Sequence, residues 1–136
     1  MAVVPRYLSR DELLDLHDGM MRRYGGMPGV RDEANLDSCR VLPQTHVFDV
    51  ERFPTLIEKA AAYCFFIVRN HPFFDGNKRT GFAAALHFLR INGVQPWFDE
   101  DEAYNVIMGV ASSCCTGRVF ALARAIRAVP PGRSFA

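Results

Sequence analysis

The residues between positions 71 and 81 of this 136-residue chain include side chains that are suited to chemistry. The His71 imidazole titrates near neutral pH and is a candidate for proton transfer. Four residues later, the Asp75 carboxylate offers the hard oxygen ligand that Mg²⁺ prefers beside substrate phosphates. A glycine, an amide and two cations follow at Gly76, Asn77, Lys78 and Arg79. These residue types predict a site for a phosphorylated ligand.

The two cations fall at the predicted beginning of a helix. Asn77 is the predicted N-cap, and backbone N–H groups in the first turn bind anions at the positive end of the helix dipole. Lys78 and Arg79 oppose that dipole by about 0.3–1 kcal/mol each unless an anion lies between them. Gly76 can adopt a left-handed conformation or let a ligand approach the main chain. We therefore expect phosphate binding here, with Phe73 as an apolar anchor of the loop.

Two buried helices are predicted to position this turn. Residues 54–70 and 77–92 have apolar side chains at helical spacing, and the first segment is apolar almost all round, as expected of a central helix. Ser9 and Glu12 form a capping box that begins another helix. Three more helices are expected to begin near residues 32, 99 and 119. The prediction is an all-α, or mainly α, bundle of about six helices around a central helix.

The remaining segments are predicted to be short connections. Residues 44–53 contain β-branched and aromatic side chains and have room for no more than a small β-hairpin. Residues 94–98 are expected to be a connector, because Pro96 argues against a strand in the middle of a sheet. Arg31 and Asp32 are interpreted as a helix cap with a local ion pair, although a catalytic role is also open.

Length and composition indicate one domain over residues 1–136, with a tail at 129–136. The formal net charge of +1 and the scattered basic residues argue against direct nucleic-acid binding. No apolar run approaches the ~20 residues that span a bilayer, and no signal peptide is apparent, so we expect a cytoplasmic protein without a membrane partner. The four cysteines lack zinc-ligand spacing. The sequence leaves open whether Cys114 and Cys115 have a redox role.

The turn resembles the signature of the Fic/Doc family, and more closely that of its Doc (death-on-curing) branch. The match rests on the order His71, Phe73, Asp75, Gly76, Asn77, Lys78 and Arg79. Other stretches resemble Doc sequences in matching order, at residues 7–9, 23–26, 29–32 and 42–44. The resemblance covers about residues 7–128 and implies a compact Fic/Doc-like domain with a β-hairpin flap.

This resemblance implies an ATP-dependent transferase that acts on a protein hydroxyl. His71 would be the base, Asp75 would hold Mg²⁺, and residues 76–79 would bind the phosphates. Fic members that transfer AMP commonly have a glycine after the asparagine and a second arginine three residues beyond the first. This chain has Lys78 and Phe82 at those places, and both departures favour Doc-like phosphoryl transfer over AMP transfer.

The resemblance also implies partners and a biological role. In the family, the flap holds an extended target segment by main-chain pairing, which here points to Thr45, His46, Val47 and Phe48. The implied target is elongation factor Tu, and the implied protein is a toxin of a toxin–antitoxin system that halts translation. The family's own inhibitory pattern is absent from the sequence. A cognate antitoxin is therefore the expected inhibitor.

Two other functions remain open from the sequence. The first is AMP transfer of the Fic type. The second is a catalytically silent module in which the turn binds a nucleotide or an antitoxin without transfer. A purely structural role, in which the turn is a cap between two helices, would place Lys78 and Arg79 unfavourably against the helix dipole.

Overall fold

A computed structural model describes residues 4–111 and 118–128 and is mainly helical, as predicted. The described residues contain six α-helices: α1 (Arg10–Tyr24), α2 (Glu33–Val41), α3 (Leu56–Asn70), α4 (Asn77–Ile91), α5 (Glu100–Ala111) and α6 (Arg118–Ala125). A 3-10 turn at Leu42–Gln44 follows α2. The short strands are β1 (His46–Val47), β2 (Val50–Glu51), β3 (Pro96–Phe98) and β4 (Ile126–Ala128).

Local capping chemistry explains where four of these helices begin. The Ser9 hydroxyl accepts a hydrogen bond from the Glu12 N–H while the Glu12 carboxylate accepts one from the Ser9 N–H, so the predicted capping box is confirmed. Asp32 and Thr55 cap α2 and α3 in the same way, each accepting from the N–H three residues later. Asp99 accepts from the Glu102 N–H at the start of α5.

Helix α3 is the central helix, as predicted. Every residue from 59 to 68 is buried, and α3 packs against α2, α4, α5 and α6. The approach to α4 is close because Gly81 lacks a side chain. A Cβ at Gly81 would lie 3.1 Å from both the Cys64 carbonyl oxygen and a Val68 methyl group. Ala84 and Ala85, one turn further along α4, are fully buried. Small residues thus allow close packing of the two helices that flank the 71–76 turn.

Two short antiparallel sheets lie outside the helical core. Strands β1 and β2 form the predicted hairpin, and its two turn residues, Phe48 and Asp49, both have positive φ angles. Strands β3 and β4 form a second sheet that the sequence did not predict. Pro96 is the first residue of β3, a position that tolerates proline in a two-stranded sheet. The helix predicted to begin near residue 119 ends at Ala125, and the next three residues pair with β3 as β4.

Two of the four cysteines lie in the described part of the chain. Cys39 and Cys64 are buried free thiols, and burial raises the pKa of each to about 12. Cys114, Cys115 and the 129–136 tail lie outside the described residues. Within 4–111 and 118–128, none of the helices has the length and apolar character required for a membrane span.

Candidate active site

The turn between α3 and α4 is held by a buried amide. The Asn77 side chain accepts a hydrogen bond from the Phe73 N–H (3.0 Å) and donates one to the Phe73 carbonyl (2.9 Å). The prediction that Asn77 is the N-cap of α4 is therefore wrong. Gly76 is the N-cap, in a left-handed conformation with φ 74°, and Asn77 is the first residue of the helix. Glycine suits this position because it has no Cβ to oppose that backbone conformation.

A histidine from α1 packs beneath the same loop. The His17 ring stacks on the Phe73 ring with centroids 3.9 Å apart and planes 4° from parallel. His17 Nε2 lies 2.9 Å from the Asp75 carbonyl oxygen, so this nitrogen carries the proton and donates. Both rings are almost fully buried. Phe73 is fully buried in this contact, and His17 is a partner of the loop that the sequence analysis missed.

The link between α1 and α2 lies along the outer side of the loop. The N–H groups of Arg31 and Asp32 both donate to the Pro72 carbonyl, at 2.8 and 3.1 Å. The Phe74 N–H donates to the Gly29 carbonyl (3.3 Å). We call residues 27–32 the strap. These contacts use backbone atoms, so they do not depend directly on the side chains of Pro28 and Val30.

The Asp75 carboxylate is fixed by two N–H groups. Its Oδ1 accepts from the Gly76 N–H (2.8 Å) and its Oδ2 from the Met27 N–H of the strap (3.2 Å). Gly26 makes this approach possible, since a Cβ there would lie 2.8 Å from Oδ2. Each carboxylate oxygen keeps a free lone pair for a cation.

This donor set fits Mg²⁺ only together with a substrate. The described residues contain no group of three or more histidine, cysteine or acidic side chains that could hold a metal ion by themselves. Mg²⁺ is commonly bound by one or two carboxylates together with substrate phosphates and water. A single ordered carboxylate at Asp75 matches that mode of binding. It does not match a site in which protein side chains alone hold the ion.

The start of α4 has the properties of an anion site. Its first intrahelical hydrogen bond runs from the Thr80 N–H to the Gly76 carbonyl (2.9 Å), so the N–H groups of residues 77–79 have no helical acceptor. Lys78 is exposed and makes no ion pair among the described residues. The Arg79 guanidinium lies over the Tyr24 ring, 4.4 Å from its centroid. Tyr24 is exposed, and its ring face attracts the guanidinium through a cation–π contact.

These groups line a cavity of about 480 Å³ between the turn and α5. One side is formed by Asp75, Gly76, Asn77, Lys78 and Arg79, and the other by Tyr104, Ile107 and Met108. A second cavity of about 510 Å³ shares Arg79, Tyr104 and Ile107 with it. Tyr104 and Met108 are exposed apolar side chains four residues apart on one face of α5. The site therefore has a charged wall and an apolar wall.

His71 lies at the other end of the turn. It is the C-cap of α3 and has left-handed backbone angles, φ 49° and ψ 58°. A non-glycine residue in this conformation costs roughly 1–2 kcal/mol, which the surrounding hydrogen bonds must offset. The imidazole is exposed and does not line the 480 Å³ cavity. Desolvation, followed by the charges of Arg31, Lys78 and Arg69, lowers the pKa of His71, so the ring is neutral near pH 7.

The flap residues lie apart from this cavity. Thr45 donates its hydroxyl proton to the Leu42 carbonyl (2.7 Å) and so fixes the base of the hairpin. His46 lines a different cavity of about 700 Å³, together with the buried Lys59. Val47 is half exposed and Phe48 is 96% exposed at the hairpin tip. The structure thus places an open hairpin near α3, and a role for Thr45, His46, Val47 and Phe48 in target binding stays a prediction.

Three groups at the site were not recognised from the sequence. His17 has the same helical spacing as Leu13 and Met21, so its burial could have been inferred, but its contact with Phe73 could not. Arg31 does not pair with Asp32 as predicted. Its guanidinium instead donates to the carbonyls at the end of α3. Tyr104 and Met108 could have been noticed as an apolar pair on an otherwise polar face.

Comparisons with known proteins identify the family of this chain. A family model described as the Fic/DOC family matches residues 7–89. A protein of Mycolicibacterium smegmatis named Toxin Doc is 43% identical over 111 residues, which make up 80% of this chain and 83% of the relative. Protein kinase doc of Escherichia phage P1 is 40% identical over 107 residues, which make up 79% of this chain and 83% of the relative. The chain therefore belongs to the Fic/Doc family.

Proposed function

We propose that this protein is a Doc-like toxin that transfers the γ-phosphoryl group of ATP to a hydroxyl group of a target protein. The supporting observation is the start of α4, where the N–H groups of residues 77–79, Lys78 and Arg79 surround one cavity beside the ordered Asp75 carboxylate. An anion with several charged oxygens matches that set of donors. The relative from phage P1 is named a protein kinase, which favours phosphoryl transfer.

In the proposed reaction, the target hydroxyl oxygen bonds to the γ-phosphorus. The bond from that phosphorus to the β–γ bridging oxygen breaks, and ADP leaves with the electron pair. His71 accepts the hydroxyl proton, since its lowered pKa keeps the ring neutral. The N–H groups at the start of α4, with Lys78 and Arg79, stabilise charge on the phosphate oxygens. The side chain of Asn77 is occupied by Phe73, so its contribution to phosphate binding is through its backbone N–H.

Asp75 and the phosphate oxygens would hold Mg²⁺, which neutralises phosphate charge when it is bound. We expect Asp75→Asn to abolish the gain in ATP affinity that Mg²⁺ gives the wild type. The loss should be roughly 10–100-fold, because even hydrogen-bond partners of metal ligands contribute that much to metal affinity. Calorimetric titration with ATP, with and without Mg²⁺, measures the effect. The amide keeps one oxygen acceptor for the backbone, so unfolding temperature serves as the control. Equal Mg²⁺ dependence in both proteins would exclude Asp75 as the ligand.

The pH dependence of transfer should report His71. The neutral imidazole is the base, and a lowered pKa preserves the neutral form to lower pH. We therefore expect the rate to fall on acidification with a midpoint below 6.5, the ordinary histidine value. Added salt should raise the midpoint, because it screens the three neighbouring cations. The pH dependence of kcat/KM, measured at ATP concentrations well below KM, provides the profile of the free protein, to which the lowered pKa refers. A midpoint at or above 6.5 would contradict the assignment.

One assay separates the candidate functions. The protein and a bacterial lysate are incubated with ATP labelled at either the γ-phosphate or the α-phosphate. A γ-labelled protein band supports phosphoryl transfer, an α-labelled band supports AMP transfer, and no label with retained nucleotide binding supports a silent binding module. The His71→Asn variant is the matched control for both labels.

We also propose the biological setting implied by the resemblance. The target is elongation factor Tu, whose modification would halt translation, and the inhibitor is a cognate antitoxin. Two relatives named as Doc proteins support the toxin assignment. Purified elongation factor Tu should become the main γ-labelled protein when it is added to the assay. Labelling of another lysate protein in its place would contradict this choice of target.

A further inference from the structure

The side chain of Arg31 ends at the last carbonyls of α3. Its Nε donates to the His71 carbonyl (2.7 Å) and its Nη2 to the Asn70 carbonyl (3.1 Å). Carbonyls at a helix C-terminus lack helical donors and carry partial negative charge, so an arginine there supplies both hydrogen bonds and a favourable charge. The rigid guanidinium fork suits two neighbouring acceptors in a way that a lysine ammonium does not.

The backbone next to Arg31 extends this contact by one residue. The N–H groups of Arg31 and Asp32 both donate to the Pro72 carbonyl. The consecutive carbonyls of residues 70, 71 and 72 are therefore all held by the same short part of the strap. His71 lies at the centre of the three, and its left-handed backbone is a conformation that persists only where the surroundings enforce it.

We propose that Arg31 is a positioning residue for His71, because its guanidinium binds the carbonyls of the left-handed turn that carries the imidazole. This inference rests on the proposed function for the meaning of that position, although the contact itself does not. The predicted cap at Asp32 is present, but the Arg31 side chain binds the end of α3 and does not form the predicted local ion pair.

The positive charge of Arg31 also influences His71, in addition to the hydrogen bonds that its guanidinium makes. Three cations influence His71: Arg31 from the strap, Lys78 from α4 and Arg69 from α3. After desolvation, Arg31 is the largest of the causes that lower the pKa of His71. Removing the Arg31 side chain should therefore raise the pKa of His71 and also let the His71 backbone leave its left-handed conformation. Removing a distant arginine should have neither effect.

The test is an NMR study of the full chain that does not require enzymatic activity. Titration of the His71 ring gives its pKa, and the Cα and Cβ shifts of His71 report its backbone conformation. We expect Arg31→Gln to raise the His71 pKa and to shift both carbons away from the left-handed range. Arg31→Lys should change the backbone shifts while moving the pKa less, because it keeps the charge without the fork. Arg40→Gln is the matched control, since Arg40 uses Nε and Nη2 to bind Asp37 on its own helix.

A kinetic readout distinguishes positioning from simple stability. In the phosphoryl-transfer assay, Arg31→Gln should lower kcat by roughly tenfold or more while the KM for ATP changes by less than about twofold, because the nucleotide contacts are intact. The Arg31 Nε–H of the wild type should exchange slowly with solvent, which checks the contact without any substitution.

Two results would overturn the proposal. The first is an Arg31→Gln variant whose His71 pKa and carbon shifts equal those of the wild type. The second is rapid solvent exchange at Arg31 Nε–H in the wild type. If the wild type transfers no label from ATP but the NMR changes occur as expected, the proposed function fails while the positioning of His71 by Arg31 stands.

Discussion

Replacing His71 with asparagine is expected to lower the rate of label transfer from ATP by about 10²–10⁴-fold, the usual contribution of a general base. Asparagine is the informative substitution because it has no basic nitrogen and tolerates the left-handed conformation of this position better than alanine does. The exposed ring contributes little packing, so the free energy of unfolding should change by no more than about 0.5 kcal/mol. Growth arrest on expression in bacteria should disappear together with transfer.

Two control measurements test whether a loss of transfer in His71→Asn reflects the loss of the base. Thermal unfolding of His71→Asn shows whether the fold is intact, and calorimetry shows whether the variant still binds ATP. Retained ATP binding with lost transfer assigns His71 to the chemical step rather than to binding. A variant that transfers label within about threefold of the wild-type rate, or that still arrests growth at equal expression, would show that another group accepts the proton.

Asn77→Ala should have the largest effect on stability among substitutions in the turn. Removing the amide leaves the N–H and the carbonyl of Phe73 without partners inside the core. Each buried group left unpaired costs about 1–3 kcal/mol, so denaturant unfolding should show a clear loss. Transfer should fall as well, because the same amide fixes the loop that joins His71 to Asp75.

Asn92→Ala is the matched control for this prediction. The Asn92 side chain also bonds to main-chain groups, those of Arg6 and Phe88, but at a site that water reaches. Water can replace the lost partners there, so the stability loss should be smaller. If Asn77→Ala lowers the free energy of unfolding no more than Asn92→Ala does, the two hydrogen bonds between Asn77 and Phe73 do not stabilise the turn.

Features with local causes were predictable from the sequence. The caps at Ser9, Asp32 and Thr55, the buried character of α3 and the small hairpin each follow from residues within a few positions of one another. The 71–79 turn was equally recognisable as a candidate site, because its residue types and their order carry the signal. Even here, the roles of adjacent residues were confused: Gly76 caps α4, and Asn77 bonds backward to Phe73.

Features that depend on distant partners were not predictable in this way. His17 reaches Asp75 across 58 positions, and Arg31 reaches His71 across 40. The pairing of β3 with β4 likewise depends on where α6 places residues 126–128, and no short pattern near Pro96 records that. Tyr24 is exposed at the end of α1, and its ring contacts Arg79, which is 55 positions away in the sequence.

The strap bears on how this region can change in evolution. Its contacts to the loop run largely through main-chain atoms of Met27, Gly29, Arg31 and Asp32. Exchanging the side chains of Pro28 or Val30 would leave those atoms in place, whereas inserting or deleting one residue would move every donor and acceptor out of register. We therefore expect related chains to differ in the amino acids of the strap but to keep its length. A gap in an alignment at this point would be a stronger sign of lost activity than several substitutions.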